Sequence, residues 1–454
     1  MAIRRVNWPD MGLMSVLALA VLALALTTGA GVGDANITVD PGQRYQVIDG
    51  WEATADIPED PSKPRWAAYE GEMLDRLVDE VGINRIRLEI ASGAETRTGI
   101  LTSFVSGRTA YDDWKDTRYL MENDNNDPFV IDPAGFDFAV MDWHVEHSVL
   151  PMANRLAARG ERLIVNLCYV SFRDGKYFQM QPEEYAEFIL ATYQHLKTKY
   201  DLVPDMLEVI LEPDNSSGAW DGQTMGRAMV AVAKRLQDNG FSPAFVVPSV
   251  KNMDRAVPFM DAIARVPGAM DPVVELSYHR YGGVSQQALR GIAARAGQLG
   301  IRTGMTELWF GKADYRVLLQ DLLVGNAASF QGRVLQGFFD VSKGANPVLT
   351  PRAEVPALAL IYRTVRHGAV RIGAKASVRG VEPVAFVNAD GRQVVAIATT
   401  GRAKLHLQGL AAGVYGISFQ LAKKGGRLPD ETVAAGGSLD LEMPGAGLLV
   451  VSGQ

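Results

Sequence analysis

From residue 136 to residue 366 the chain alternates short apolar runs with amphipathic stretches at a nearly constant spacing. Apolar runs of four to eight residues are the mark of strands covered on both faces, and the stretches between them carry the 3.6-residue period of helices. A helix over 66–81 stops at Gly82, and a strand over 83–90 follows it. Helix 136–158 leads to strand 162–170, helix 182–200 to strand 206–211, and helix 224–239 to strand 244–250. Helix 254–264 leads to strand 273–278, helix 285–299 to strand 301–306, and helix 315–323 to a last strand over 333–341, with helix 355–366 closing the series. Strands separated by helices must run parallel. Counted from Val47 there are eight such units, which favours an α/β fold of the closed (β/α)8 TIM-barrel kind over an open sheet.

The barrel is expected over 50–368, and from Ala369 the helices cease. Short strand-like runs separated by turns such as Asn388-Ala-Asp-Gly391 predict an appended antiparallel β-sandwich over 369–454. The runs 37–40 and 44–49, on either side of a Pro41-Gly42 turn, have no other partners and are expected to pair with that sandwich, as a segment 36–49. Ahead of them, Arg4 and Arg5 precede an apolar core over 11–26 and a run of small residues, the layout of a secretory signal peptide over 1–35 with cleavage after Ala30 or Ala35. An exported protein, periplasmic or extracellular, is expected, with no stable membrane insertion after cleavage; an uncleaved anchor is the rival reading, for which the apolar run is a little short. The single cysteine, Cys168, lies in an apolar run, so no intramolecular disulfide forms. A net charge of −7 and the lack of any basic cluster interleaved with aromatics argue against a nucleic-acid partner.

Chemistry is expected where a barrel keeps it, at the C-terminal ends of the strands. Two glutamates end apolar runs there: Glu212, stopped by Pro213, and Glu307, followed by Leu308-Trp309. Two carboxyl groups facing one another across a barrel mouth suit the cleavage of a glycosidic bond, one acting as acid/base and the other as nucleophile. Other constellations are set aside. His144-Val-Glu-His147 has metal-like spacing but sits on an outer helix, and the Glu122–Asp127 run lacks the glycine of a calcium loop and reads as solvated Asx turns. No metal and no cofactor is expected. Residues 91–134 carry no period and read as a long loop over the substrate.

The entry Gly42-Gln-Arg-Tyr-Gln-Val-Ile-Asp-Gly-Trp51, the strand ending in Glu212-Pro213, the run Ser277-Tyr-His-Arg-Tyr281 and the strand ending in Thr306-Glu307 together resemble clan A retaining glycoside hydrolases, most of all the glycoside hydrolase family 30 type. The resemblance implies a (β/α)8 barrel with a side β-sandwich, Glu212 on the fourth strand as general acid/base, and Glu307 on the seventh as nucleophile. It also implies a substrate-binding set. Arg87 is placed near Glu307, and His279 and Tyr281 on the sixth strand. From their positions after the two glutamates, Trp309 and Trp220 suit either stacking on sugar rings or packing between loops. Trp51, Asn166 and Tyr169 are weaker candidates for the cleft floor. One position departs from the pattern. Clan A enzymes carry Asn before the acid/base to hold the sugar 2-hydroxyl, and here that position is Leu211, so Asn215 or Asn166 is left to supply the contact. The expected function is a secreted retaining glycosidase acting on a β-linked oligo- or polysaccharide. Leu211 keeps open a non-catalytic carbohydrate-binding protein on the same scaffold, and a transglycosylase, in which an acceptor sugar replaces water, is a second alternative.

Overall fold

The computed structural model describes residues 32–57, 66–216 and 218–454. The expected leader falls mainly on residues 1–31, outside the described residues. A first strand, β1 (Gly33–Val47), is followed by eight strands that close into a barrel: β2 (Gly50–Thr54), β3 (Arg85–Ala91), β4 (Ile164–Val170), β5 (Met206–Glu208), β6 (Phe245–Asn252), β7 (Val273–Gly282), β8 (Arg302–Glu307) and β9 (Ala327–Val334). Each is parallel to the next, and β9 returns to β2. The helices lie outside, among them Pro182–Tyr200, Gly222–Asp238 and Gln286–Leu299, with Asp221 and Ser285 capping the last two through Thr224 N–H and Ala288 N–H. Gly82 ends the helical stretch before β3 in the left-handed conformation; a Cβ there would also strike the Tyr362–Arg363 backbone.

The barrel interior is unusually ionic. Arg85 and Arg87, two apart on β3, point to the same inner face and are both fully buried. Arg85 donates to Glu52, to Asp49 at 2.7 Å and to both Glu275 oxygens at 2.8 and 2.9 Å. Arg302 adds a 2.9 Å bond to Glu275, whose carboxyl is held down to about 2: burial alone would raise it, and the two guanidinium groups overcome that.

The polar interior also explains where the chain departs from the expected boundaries. The last barrel strand is 327–334, not 333–341, because its inward residues include Ser329 and Gln331, which erase the apolar signature. Residues 335–338 form a 3-10 turn, and 339–341 form β10 (Phe339–Val341), paired with β11 (Leu349–Pro351). Strand β5 leaves the ladder at Glu208 and not at Leu211, although Leu211 N–H still reaches Tyr169 O at 3.0 Å. The stretch 91–134 is not structureless. It holds the helices Ile100–Val105 and Tyr111–Thr117, too short to display a period, locked by Phe104 stacked on Trp114 with centroids 4.4 Å apart.

The remaining strands are β12 (Val370–Ala376), β13 (Val381–Val387), β14 (Gln393–Thr399), β15 (Ala403–Gln408), β16 (Gly413–Leu421), β17 (Gly425–Val433), β18 (Ser438–Met443) and β19 (Gly447–Gly453). With β1 they make a nine-stranded sheet in the order β17-β16-β19-β14-β13-β12-β1-β15-β18. Strand β1 pairs antiparallel with β12 and parallel with β15, so the sandwich is mixed and not purely antiparallel. Pro41-Gly42 is no turn between two strands. It lies within one strand, where the register shifts between Asp40 and Arg44. Ala35, Ile37, Val39, Ile397, Leu405, Leu407, Ile417 and Val451 fill the sandwich core. Gln46 stitches it to the barrel, donating to Leu322 O and Ala327 O and accepting from Arg371. Among the described residues no helix is long and apolar enough to cross a membrane.

The acidic run 122–127 does fold into Asx turns, with Asp127 N–H on Asn125 Oδ1 at 2.7 Å and Phe129 N–H on Asp127 Oδ1 at 3.1 Å. Asp124, however, is buried rather than solvated, tucked under Gly135 beside the buried Glu95, Glu184 and Glu187. Burial, then the charges of Asp124, Glu184 and Glu95, raises Glu187 to about 8; burial likewise raises Glu95 to about 7. Because these folded-state values lie above those of the unfolded chain, the stabilisation is complete only below the ordinary carboxylate range, is lost progressively as pH rises, and is gone once pH has passed through about 7 to 8. The melting midpoint should therefore fall between pH 6 and pH 9, and Glu187→Gln should flatten the slope in calorimetry. A wild-type midpoint that stays level across that range would contradict this account.

Candidate active site

Glu307 is the last residue of β8, and its carboxylate is gripped from two sides. Arg87 Nη2 donates to Oε2 at 2.5 Å, and the Tyr281 hydroxyl donates to Oε1 at 2.9 Å. Tyr281 in turn accepts from Trp309 N–H at 2.8 Å, so the residue after the strand is tied to the same ring. Arg87 also donates to Glu89 at 2.9 Å and stands 5.0 Å from the Trp309 ring. Burial raises the Glu307 pKa; the Arg87 and His279 charges pull against it, and the Glu212 charge adds to it.

Glu212 reaches the same space from an irregular backbone. Its φ is +48° and that of Ser249, on β6, is +54°, both left-handed values that favour glycine. Glu212 N–H donates to Ser249 O at 3.0 Å, and Pro213 then opens the 3-10 turn Pro213–Asn215. The carboxylate lies 3.0 Å from His279 Nδ1 through Oε1 and accepts from Asn215 Nδ2 at 3.0 Å through Oε2. Burial would raise its pKa; the hydrogen bond and charge of His279, with Lys251 and Arg87 beyond, bring it below the ordinary carboxylate value. His279 and Tyr281, two apart on β7, share the inner face and so serve the two carboxylates in turn.

One ligating atom each of Glu212, His279 and Glu307 all lie within 4.8 Å of one another. Carboxyl oxygens this close to one another can serve the two sides of one reacting bond. The same three side chains are the one group among the described residues close enough to surround a metal ion. Arg87 already neutralises Glu307 and Asn215 already occupies Glu212, so the donor set suits proton transfer and nucleophilic attack better than a dication.

The other expected site residues divide. Asn215 is exposed at the mouth, where its Oδ1 also accepts from Lys251 Nζ at 3.1 Å. Trp309 is partly exposed and anchored through Nε1 to Gln331 at 2.8 Å. Asn166 is fully buried one layer down, donating to Glu208 at 2.9 Å, so it cannot stand in for the missing asparagine at Leu211. Trp220 is corrected: it has no exposed surface, packs edge-on against Tyr185 and donates to Tyr177, and no sugar ring reaches it. Trp51 is likewise sealed, stacked on Tyr362 at 4.7 Å with its Nε1 on Val365 O. Tyr169 is buried and hydrogen-bonded to Gln179. Leu211 packs with Cys168 and Val170, with Tyr119 against them, making an apolar wall beside Glu212.

Four neighbours were not anticipated. Glu208 and Ser249 lie under His279; Glu89, pushed up to about 7 chiefly by burial against the pull of Arg87, flanks Arg87; and Phe310, 85% exposed, stands over Tyr281 beside Trp309. Phe310 opens onto a groove of about 840 Å³ lined in part by Tyr111, Trp309 and Arg352.

No protein-family model matches the sequence, and no curated protein matches it either. Solved structures do match in fold. The catalytic domain of the family 30 xylanase C of Talaromyces cellulolyticus superposes with a TM-score of 0.66 at 15% identity, over 92% of this chain and 100% of that one. The family 30 endoxylanase of Clostridium papyrosolvens gives 0.66 at 17% identity with the same coverage. An endo-β1,6-glucanase gives 0.61 at 13% identity, over 92% and 94% of the two chains. The fold, barrel and side sandwich together, is therefore shared with these family 30 structures.

Proposed function

We propose that this chain is a retaining glycoside hydrolase that cleaves a β-linked glycan by double displacement. The observation that carries the reading is the carboxylate pair within 4.8 Å, each member braced differently: Glu307 by Arg87 and Tyr281, Glu212 by His279 and Asn215. In the first step Glu307 attacks the anomeric carbon as the glycosidic bond breaks, and Glu212 gives a proton to the leaving oxygen. In the second, water attacks that carbon, Glu212 takes its proton, and Glu307 is released. Arg87 and Tyr281 aim Glu307 and compensate its charge; Phe310 and Trp309 offer aromatic faces to neighbouring sugar rings. With Leu211 in an apolar wall, Asn215 is the amide beside Glu212 that remains in reach of a sugar hydroxyl.

Export completes the proposal. Cleavage after Ala30 leaves β1 whole, whereas cleavage after Ala35 would strip residues that pair with β15 and a fully buried core alanine.

The titration of the site sets a pH profile. Activity needs Glu307 ionised, and burial moves that event above the ordinary carboxylate value. It also needs a proton on Glu212 and His279 taken together. Burial lowers His279, but the Glu307 and Glu212 carboxylates outweigh it and raise the imidazole above its ordinary value. Both limbs of the kcat/KM profile thus shift upward, and the optimum is expected near neutrality. An optimum at about pH 4, the range of unperturbed carboxyl groups, would contradict this.

The test is hydrolysis of a panel of β-xylans and β-glucans by wild type and Glu307→Gln, with the anomeric proton of the fresh product followed by NMR. The β anomer should appear first. Release of the α anomer first, or no release above the variant from any glycan, would overturn the proposal.

A further inference from the structure

Beneath Glu212 and His279 runs a line of polar side chains for which double displacement assigns no task. The Ser249 hydroxyl donates to Glu208 Oε1 and lies 3.0 Å from His279 Nε2. Glu208 is fully buried and surrounded by donors: Asn166 Nδ2 binds its other oxygen at 2.9 Å, and Arg87 Nη1 stands 3.7 Å from Oε1. A carboxylate in that setting accepts only, and a serine hydroxyl has one proton to give. With that proton on Glu208, Ser249 can meet His279 only as an acceptor, so Nε2 must carry hydrogen. A neutral imidazole protonated on Nε2 has a bare Nδ1. Nδ1 and Glu212 Oε1, 3.0 Å apart, would then be two acceptors face to face unless one proton lies between them.

We infer that Ser249, turned by Glu208, is a positioning residue that holds His279 protonated on Nε2 and thereby keeps one proton shared between His279 Nδ1 and Glu212 Oε1. The pair holds that proton either as imidazolium and carboxylate or as imidazole and carboxylic acid. Its catalytic meaning rests on the acid/base role proposed for Glu212; its structural content does not. In the first displacement the proton passes from Nδ1 to Glu212 and on to the leaving oxygen. That leaves a neutral imidazole and a carboxylate, while the Glu307 carboxylate becomes an ester. Water then returns one proton to the pair as its oxygen forms the new bond to carbon and Glu307 departs. The low pKa of Glu212 itself fits a carboxyl whose proton rests on its neighbour.

Two backbone features serve the same end. Ser249 and Glu212 both hold left-handed φ values, and they are joined by the Glu212 N–H to Ser249 O bond. Non-glycine residues stay in that region only where their surroundings enforce it. The charged and titratable groups facing the pair are Arg87 from β3, Glu208 from β5, Lys251 from β6, Glu307 from β8 and Tyr281 on β7 itself.

The test reads the tautomer directly and needs no substrate. The full chain, with its six histidines labelled with 15N, is followed by long-range proton–nitrogen NMR, His279 being assigned from its loss in His279→Gln. Wild type should show Nε2 protonated at every pH, with Nδ1 moving between shared and bare. Ser249→Gly removes the hydroxyl while accepting the left-handed φ without strain. It should move the proton to Nδ1, facing Glu212, and leave Nε2 bare. Glu208→Gln provides a second route to the same change: its amide donates to Ser249, which then turns its proton toward Nε2. A wild-type ring with Nδ1 protonated and Nε2 bare at neutral pH, or a wild-type tautomer unchanged in both variants, would overturn the inference. Failure of the hydrolysis reading would leave these spectra unaffected, so the two are separable.

Discussion

Glu307→Gln should lower turnover by about 10⁴-fold or more, the scale on which loss of a covalent nucleophile is felt, with the fold retained. The amide is nearly isosteric, and its oxygen can still accept from Tyr281. What it loses is the charge that attacks carbon and that answers Arg87. Glu212→Gln differs in kind. It should cost about 10²–10⁴-fold on substrates with poor leaving groups and far less on dinitrophenyl glycosides, whose leaving group departs without a proton. The contrast between the two variants on the two substrate types assigns the roles. Equal losses on both would remove the distinction drawn here between acid/base and nucleophile.

Arg85→Met produces the largest expected loss of stability. Arg85 has no contact with the carboxylate pair; its guanidinium answers Asp49, Glu52 and Glu275 inside the barrel. Glu275 retains Arg302, but Glu52, fully buried, keeps one hydrogen bond among the described residues, from the amide of Gln331 at 2.7 Å, and the charge of Arg87. Removing one partner from a buried ionic cluster typically costs about 3–5 kcal/mol, because an uncompensated charge stays behind. Burial already holds the Glu52 pKa above its ordinary value against the pull of Arg85, so losing Arg85 raises it further. The damage should then shrink as pH falls and Glu52 takes up a proton. Adding Glu52→Gln to Arg85→Met should recover part of the loss in denaturant unfolding. A single variant as stable as wild type would show that the cluster is dispensable.

Strands such as Ile164–Val170 and Phe245–Asn252 are covered on both faces and announce themselves as apolar runs, so the alternation, and with it the barrel, was legible. Ala327–Val334 was not, because Ser329 and Gln331 point into an interior filled with ion pairs and hydrogen bonds. Glu212, Glu307, His279 and Tyr281, which the barrel brings together, each sit at or near a strand end, in a local pattern. Glu208 gave a weaker signal, a lone acid within the apolar run 206–211. Ser249 gave none: its role comes from closure, which sets β6 between Glu208 on β5 and His279 on β7. Trp220 misled for a related reason. An aromatic residue in the loop after the acid looks the same in sequence whether it stacks on a sugar or, as here, packs under Tyr185 and Tyr169.

The central claim is that Glu307 becomes covalently attached to the sugar. It is tested most directly by incubating the protein with 2-fluoro and epoxide-bearing β-glycosides of xylose and glucose, then mapping the adduct by peptide mass spectrometry. The account predicts one added sugar, on Glu307, that disappears when a reactivating acceptor is supplied. An adduct on Glu212 would reverse the roles of the two carboxylates, and a folded protein that hydrolyses glycan yet never carries an adduct would contradict double displacement.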